Sequence, residues 1–160
     1  MIIIINGAPG SGKTKTAAYL FENTSPSAII DGDHLLGINP QNRTDEELDL
    51  RQKNITAVAR NYHESGYSTI FVAFVYMGPI YLSKQIELLK TIDDVKVIAL
   101  VPNKETLRSR HLNDDYKREG IESSIDINNK IRELPADEII DNSEMTIEEV
   151  GEHIKKTLGL

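Results

Sequence analysis

Short runs of apolar, mostly β-branched residues alternate with longer segments of helical periodicity along this chain. The runs predict five β-strands, at residues 2–5, 28–31, 69–76, 96–101 and 138–141. The segments between them predict helices at residues 13–23, 44–64, 80–90, 104–112 and 146–158. Strands this apolar, separated by helices, indicate a parallel sheet that helices cover on both faces. We therefore predict an α/β fold in which residues 1–160 form a single domain.

The composition supports an ordinary globular core and excludes several kinds of site. With 39% hydrophobic residues, a chain of 160 residues can bury a core without a structural metal or cross-link. The chain has no cysteine, so disulfides, thiolate metal sites and a cysteine nucleophile are excluded. The longest apolar run, residues 70–77, is too short for a membrane span. We therefore expect a cytoplasmic protein without a membrane partner.

The negative charge of the chain is concentrated near its C-terminal end. The formal net charge is -7, yet residues 133–153 contain eight carboxylates and no Lys or Arg. The other residues carry 18 basic and 17 acidic side chains, so they are close to neutral. An acidic surface opposes binding to a nucleic-acid backbone, and we predict no nucleic-acid partner.

Two Thr-x-x-Glu sequences mark predicted helix starts. Thr44 with Glu47, and Thr146 with Glu149, each fit a capping box, in which the hydroxyl and the carboxylate each accept a backbone amide at the helix start. The helix after Thr146 then carries a regular apolar face, formed by Ile147, Val150, Ile154 and Leu158.

A glycine-rich loop separates the first predicted strand from the first predicted helix. Its residues are Gly7, Ala8, Pro9, Gly10, Ser11, Gly12, Lys13 and Thr14, which fit the G-x-x-x-x-G-K-[ST] pattern of a phosphate loop. The glycines let the backbone turn tightly and direct its amides at a phosphate, beside the positive end of the helix. We predict that Lys13 contacts the β and γ phosphates and that the Thr14 hydroxyl binds Mg²⁺. We also assign Thr16 to this nucleotide site.

Two carboxylates follow the second predicted strand. Asp31 and Asp33 flank Gly32 at a strand's carboxyl end, where open α/β sheets bind their ligands. In extended chain a spacing of two puts both side chains on one side. One carboxylate could then support Mg²⁺ while the other accepts a hydroxyl proton, as phosphoryl transfer to an alcohol requires. The alternative is a solvent-exposed Asp-Gly turn.

At these residues the chain resembles the small P-loop kinases of metabolites, which include shikimate kinase, gluconate kinase, adenylylsulfate kinase and chloramphenicol phosphotransferase. The resemblance covers nearly the whole chain in length and element order. It implies a three-layer fold with strand order 2-3-1-4-5 and the use of ATP and Mg²⁺. It also implies that Asp31 supports the metal and that Asp33 orients or deprotonates the acceptor, with Lys13 as the phosphate-binding residue.

The resemblance further implies a mobile lid near residues 111–122 and a substrate-side helical region near residues 34–66. Arg118 resembles a lid arginine that neutralises the transferring phosphate. Arg108 or Arg110 is similar to an arginine that stacks on adenine in this family, and Asn142 lies in a stretch like the loop that borders the base. Solvent-exposed helix charges and a simple turn are the alternatives.

The acceptor side departs from the family members named above. The chain lacks the Phe-Arg-x-x-Glu pattern of shikimate kinases and the Pro-Trp-Leu of gluconate kinases. Arg51 interrupts an apolar stripe on the 44–64 helix, so it either meets an anionic acceptor above Asp33 or pairs with an acidic neighbour such as Glu47. We also assign His34 to the acceptor site because it follows Asp33.

These predictions combine into one function with two alternatives. We expect an ATP- and Mg²⁺-dependent kinase that phosphorylates a hydroxyl of a small molecule. The alternatives are a nucleoside or nucleotide kinase, and a nucleotide-binding ATPase or switch module without an acceptor. The predicted partners are ATP and a small-molecule acceptor, and we expect a monomer or homodimer.

Overall fold

Five parallel strands form one sheet in the order β2-β3-β1-β4-β5, as predicted. The computed structural model describes residues 1–42, 44–112 and 120–160. The strands are β1 (Ile2–Gly7), β2 (Ser27–Asp31), β3 (Thr69–Phe74), β4 (Val95–Leu100) and β5 (Glu138–Ile140). The helices are α1 (Lys13–Glu22), α2 (Asp45–Glu64), α3 (Pro79–Lys90), α4 (Lys104–Leu112), α5 (Ile121–Arg132) and α6 (Ile147–Leu158).

The central strand β1 explains why the sheet has two cores. All six of its residues are buried, and β3 and β4 pair with it on either side. Its side chains alternate between faces, so Ile2 and Ile4 belong to one apolar cluster while Ile3 and Ile5 belong to the other. A strand buried on both faces has a continuous apolar sequence, which is what the residues after Met1 show.

Helices cover both faces of the sheet. The cluster around Ile2 and Ile4 is completed by buried residues of α2, α3 and α5, including Ile55, Leu82 and Ile131. The cluster around Ile3 and Ile5 is completed by residues of α1 and α6. The molecule therefore has the three layers that the alternation of strands and helices predicts.

The two predicted helix caps differ in detail. At α6 the capping box is confirmed, because Thr146 Oγ1 accepts the Glu149 amide at 3.1 Å and Glu149 Oε2 accepts the Thr146 amide at 2.8 Å. At α2 the Thr44 hydroxyl accepts the Glu47 amide at 3.3 Å, while the Glu47 carboxylate accepts the Asn42 amide at 2.9 Å. The Glu47 carboxylate therefore holds the backbone that precedes α2.

Helix α5 was not among the predicted elements. Its buried face carries Ile125, Ile127 and Ile131, but also the buried polar residues Ser124 and Asn128. Asn128 donates from its side-chain Nδ2 to the Pro102 carbonyl at 2.9 Å, so a distant loop satisfies this donor. Two polar residues on the inner face weaken the apolar periodicity from which a helix is predicted. Within the described ranges, no helix is long and apolar enough to cross a membrane.

Candidate active site

The glycine-rich loop joins β1 to α1 at the carboxyl edge of the sheet, as predicted. Two of its glycines adopt left-handed backbone conformations, with φ of 83° at Gly10 and 96° at Gly12. Side chains with a Cβ rarely adopt these angles, so the pattern needs glycine at both positions. Gly12 also caps the N-terminus of α1 without a side-chain hydrogen bond. The positive end of the helix dipole therefore lies at the end of the loop.

The loop is closed by contact between Gly7 and Ser11. A Cβ built on Gly7 would lie 2.2 Å from Ser11 Oγ, so no other residue fits there without a shift of Ser11. Ser11 is fully buried, and its amide donates to the Ala8 carbonyl at 3.0 Å. Its hydroxyl has no hydrogen-bond partner among the described residues. The first and fifth residues of the motif thus form one tightly packed turn.

The three residues assigned to α1 lie in different environments. Lys13 is half-buried as the first helical residue, and Thr14 is exposed beside it. Thr16 is fully buried against the sheet, and its hydroxyl has no partner in the part of the chain that the structure describes. The exposure of Thr14 fits its assignment to Mg²⁺, whereas the burial of Thr16 gives no support to a contact with nucleotide.

Only one of the two carboxylates after β2 lies on the strand. Asp31 is the last residue of β2, and its Oδ1 accepts a hydrogen bond from the Asp33 amide at 2.9 Å. This side chain caps a short 3₁₀ helix, Gly32–His34. The expectation that both acids share one side of an extended strand is therefore wrong. The hydrogen bond to the Asp31 side chain bends the backbone after the strand, as in an Asx turn. Asp33 is exposed, and His34, whose side chain is 76% exposed, lies 3.9 Å from Asp31 Oδ2 through its Nδ1.

Gly32 allows this turn to pack against Phe74, the last residue of β3. A Cβ on Gly32 would lie 2.8 Å from Phe74 Cδ2 and 2.9 Å from two further atoms of that side chain. The ring thus lies directly against the backbone between Asp31 and Asp33. Sequence reasoning did not assign Phe74 to the site, because it is the buried end of an apolar run.

Arg51 reaches the same ring from α2. Its guanidinium carbon lies 4.9 Å from the centroid of the Phe74 ring, within the range of a cation–π contact. Its Nε is buried without a hydrogen-bond partner in the described ranges. Arg51 forms no ion pair with any carboxylate of the residues described, so the predicted pairing with Glu47 is not found. Arg51 and the Asp31–Asp33 turn therefore contact the same aromatic side chain.

A chain of buried polar side chains connects β1 to α2, and no sequence pattern predicted it. Asn6 exchanges two hydrogen bonds with the Tyr76 backbone, at 2.9 and 3.1 Å. The Tyr76 hydroxyl donates to Gln85 Oε1 at 3.2 Å, and Gln85 Nε2 donates to the Thr56 hydroxyl at 3.1 Å. Burial holds the pKa of the Tyr76 phenol far above its usual range. The chain ties the strand before Gly7 to the helix that carries Arg51.

Two predicted nucleotide residues meet at the phosphate loop. Arg110 on α4 donates from Nη1 to the Ser11 carbonyl at 3.1 Å and from Nη2 to the Asn142 carbonyl at 2.9 Å. Asn142 is fully buried and donates its side-chain amide to the same Ser11 carbonyl at 2.9 Å. Arg110 is half-buried, and the loss of water around its guanidinium lowers its pKa. The structure thus brings α4 and the segment after β5 onto the loop.

The remaining predicted residues are more distant or undescribed. Arg108 points to α5, where its Nη2 donates to Glu122 Oε1 at 2.9 Å, and this bond lowers the pKa of Glu122. Arg118 lies outside the described residues, as does most of the predicted lid near 111–122. Among the residues described, no three His, Asp or Glu side chains converge on a metal position. Mg²⁺ with a nucleotide commonly uses only one or two protein ligands, so the pair Thr14 and Asp31 remains a suitable donor set.

Comparison with solved structures identifies the fold. No protein-family model matches the chain, and no curated protein sequence matches it. The tunicamycin resistance protein of Deinococcus radiodurans is 20% identical, with a TM-score of 0.76, over 99% of this chain and 95% of that one. A sugar kinase from a Janibacter species is 20% identical, with a TM-score of 0.72, over 99% and 94% of the two chains. Shikimate kinase from Aquifex aeolicus is 15% identical, with a TM-score of 0.65, over 99% and 96%. The chain therefore has the fold of P-loop kinases of the shikimate kinase type.

Proposed function

We propose that the protein is an ATP- and Mg²⁺-dependent phosphotransferase that phosphorylates a hydroxyl of a small molecule. One observation carries the proposal: a closed phosphate loop and an exposed Asp33 lie at the same edge of one parallel sheet. Ligands of open α/β sheets bind at this edge. The fold shared with a sugar kinase and a shikimate kinase is consistent with this chemistry.

The phosphate loop would hold the nucleotide. Its backbone amides and the dipole of α1 would bind the β phosphate, and Lys13 would reach the β and γ phosphates. Thr14 and Asp31 would hold Mg²⁺, directly or through water, and the ion would offset charge on the phosphate oxygens. Arg118, in the predicted lid, would stabilise the charge of the transferring group.

Asp33 would act on the acceptor. The acceptor oxygen attacks the γ phosphorus in line, the bond from that phosphorus to the bridging oxygen breaks, and ADP leaves with its electron pair. The hydroxyl proton passes to the Asp33 carboxylate as the new P–O bond forms. Asp33 is exposed and Asp31 Oδ1 accepts its backbone amide, so its carboxylate is accessible on a turn whose backbone is held.

Arg51 supports an acceptor that carries a negative group. Its cation is half-buried over Phe74 and has no described carboxylate partner, so it retains capacity to bind an anion. Arg51 and the Asp33 turn both contact the Phe74 side chain, which would place the anionic group of the acceptor near the same residue as its reacting hydroxyl. His34, exposed next to Asp33, would border the same space.

The direct test is product analysis. The protein is incubated with Mg²⁺ and ATP against a panel of sugars, hydroxy acids, nucleosides and nucleotides, and ADP release is compared with the rate in water alone. Phosphorus NMR then identifies the product. We expect a non-nucleotide hydroxy compound to raise ADP release, with anionic members of the panel preferred. Turnover of nucleosides or nucleotides alone would favour the first alternative, and nucleotide binding without any acceptor would favour an ATPase or switch.

A further inference from the structure

The Ser11 carbonyl accepts hydrogen bonds from two side chains that come from distant parts of the chain. Arg110 Nη1 lies 3.1 Å from this oxygen and Asn142 Nδ2 lies 2.9 Å from it. Arg110 Nη2 also donates to the Asn142 carbonyl at 2.9 Å, so the two donors are tied to each other. Two hydrogen bonds therefore hold one backbone oxygen of the phosphate loop, and a third links the two residues that donate them.

The position of this oxygen determines the direction of the next amide. In a trans peptide the C=O and the following N–H point in opposite directions within one plane. With the Ser11 carbonyl fixed on Arg110 and Asn142, the Gly12 amide must point away from both side chains. Gly12 has a left-handed φ of 96°, a conformation in which a glycine peptide can rotate readily unless something holds it.

The environment of Arg110 indicates more than a surface contact. Its guanidinium is half-buried and so partly desolvated, and this burial lowers its pKa. No carboxylate of the described residues pairs with it, whereas Arg108, two residues earlier, pairs with Glu122 in solvent. A partly desolvated cation that has no counterion among the described residues is costly, and an anion bound in the adjacent loop would offset that cost.

We propose that Arg110 is a positioning residue of the phosphate loop. Together with Asn142 it orients the Ser11–Gly12 peptide so that the Gly12 amide donates to a bound phosphate. The inference rests on the proposed function, because it assumes that the loop binds a polyphosphate. It differs from base stacking, in which the face of the guanidinium would contact adenine and the loop peptide would be unaffected.

Two ligands separate these roles, namely Mg²⁺-ADP and inorganic tripolyphosphate with Mg²⁺, which has no base. Titration calorimetry compares the wild type with Arg110→Lys, whose compact ammonium lacks the planar fork that places Nη1 on the Ser11 carbonyl and Nη2 on the Asn142 carbonyl. We expect both ligands to bind about tenfold more weakly, the scale of one lost charge-assisted hydrogen bond. Asn142→Leu removes the second donor from the same oxygen and should weaken both ligands in the same way.

Arg132→Lys is the matched control, because Arg132 also donates to a backbone carbonyl, that of Val101, at 2.9 Å, but on α5. Its affinities should stay within about twofold of the wild type. Thermal melting of each variant shows whether it is folded, and the double variant Arg110→Lys/Asn142→Leu should lose less than the product of the single losses, since both donors act on one oxygen.

The outcomes are distinct. Weaker ADP binding with unchanged tripolyphosphate binding would assign Arg110 to the base and overturn the inference. Unchanged binding of both ligands would overturn it as well. If the wild type bound neither ligand, the proposed function itself would fail, which is a different result from a folded, ligand-binding protein that is insensitive to Arg110.

Discussion

The backbone of Gly32 lies in van der Waals contact with the ring of Phe74, so that a Cβ at residue 32 would be 2.8 Å from Cδ2 of the ring. Gly32→Ala must therefore displace either the ring or the Asp31–Asp33 turn. We expect the free energy of unfolding to fall by about 1–3 kcal/mol, the usual cost of overpacking. Urea denaturation measures this change. Gly37→Ala is the control, because no atom lies within 4 Å of its added Cβ, and equal losses in both variants would contradict the contact.

Asp33 is expected to act in the chemical step and not in nucleotide binding. Asp33→Asn keeps the size of the side chain but removes the proton acceptor, so we expect the rate of phosphoryl transfer to fall by about two to four orders of magnitude. ADP affinity should change little, because the phosphate loop is untouched. Once product analysis has identified an acceptor, steady-state kinetics check the rate. Asp126→Asn, on the exposed side of α5, is the matched control, and a fully active Asp33→Asn enzyme would remove the assignment.

Much of the fold could be predicted because its strands are buried on both faces. Such strands are continuous apolar runs, and the glycines of the phosphate loop have strict backbone requirements, so local sequence indicates both. Helix α5 was not predicted because the buried polar residues Ser124 and Asn128 interrupt its apolar face, and the Asn128 side chain finds a hydrogen-bond partner only in a distant loop. Asp31 and Asp33 were expected on one side of an extended chain, but the Asp31 side chain accepts the Asp33 amide and turns the backbone after the strand.

The contacts of the two half-buried arginines, Arg51 and Arg110, could not be predicted from the sequence. Arg110 contacts Ser11 across 99 residues of sequence, and the contact of Arg51 with Phe74 also depends on how α2 packs against the sheet. No local pattern encodes either contact, because each arises from the packing of elements that are far apart in the chain. The sequence indicated that both arginines belong to binding sites, but the groups that they contact could be identified only from the fold.

Tyr76 should make the stability of the protein depend on alkaline pH. Burial raises the pKa of its phenol in the folded state, so the folded protein retains a proton that the unfolded chain releases near its ordinary pKa of about 10. This contribution to stability is complete below about pH 10 and is lost as the pH rises further, by about 1.4 kcal/mol for each pH unit. Urea denaturation between pH 8 and 11 measures the slope.

Tyr76→Phe removes the titrating group, so the dependence of the unfolding free energy on pH should become shallower by the contribution of one proton, about 1.4 kcal/mol for each pH unit. At neutral pH the same variant should lose about 1–3 kcal/mol, because Gln85 Oε1 is left buried without the hydroxyl that donates to it. Tyr67→Phe serves as the control, since Tyr67 is 40% exposed. Identical slopes for the wild type and Tyr76→Phe would show that the phenol does not stay neutral through burial.

Gly151 provides a test of the packing between α1 and α6. A Cβ at residue 151 would lie 2.2 Å from Cδ1 of Tyr19, so the Tyr19 ring rests on the bare backbone of α6. Alanine is favoured over glycine in a helix interior by about 1 kcal/mol. We expect Gly151→Ala to be destabilising nevertheless, by about 1–3 kcal/mol, because the ring must move. In the double variant Gly151→Ala/Tyr19→Ser the clash is removed, so its loss should be smaller than the sum of the two single losses.

The capping box of α6 should respond to acid through one carboxylate. Hydrogen bonds from the Thr146 backbone hold the pKa of Glu149 below its usual range, so its stabilising effect is present above the unfolded value, about 4.3, and is lost as the pH falls through the lowered folded value. Glu149→Gln should therefore show a flatter decline in unfolding free energy between pH 5 and 3 than the wild type. The neighbouring, exposed Glu148→Gln leaves the box intact and should follow the wild-type curve. At neutral pH Thr146→Ala should cost about 1 kcal/mol, as the loss of an N-cap typically does. Parallel acid curves for Glu149→Gln and the wild type would mean that the carboxylate does not take part in the cap in solution.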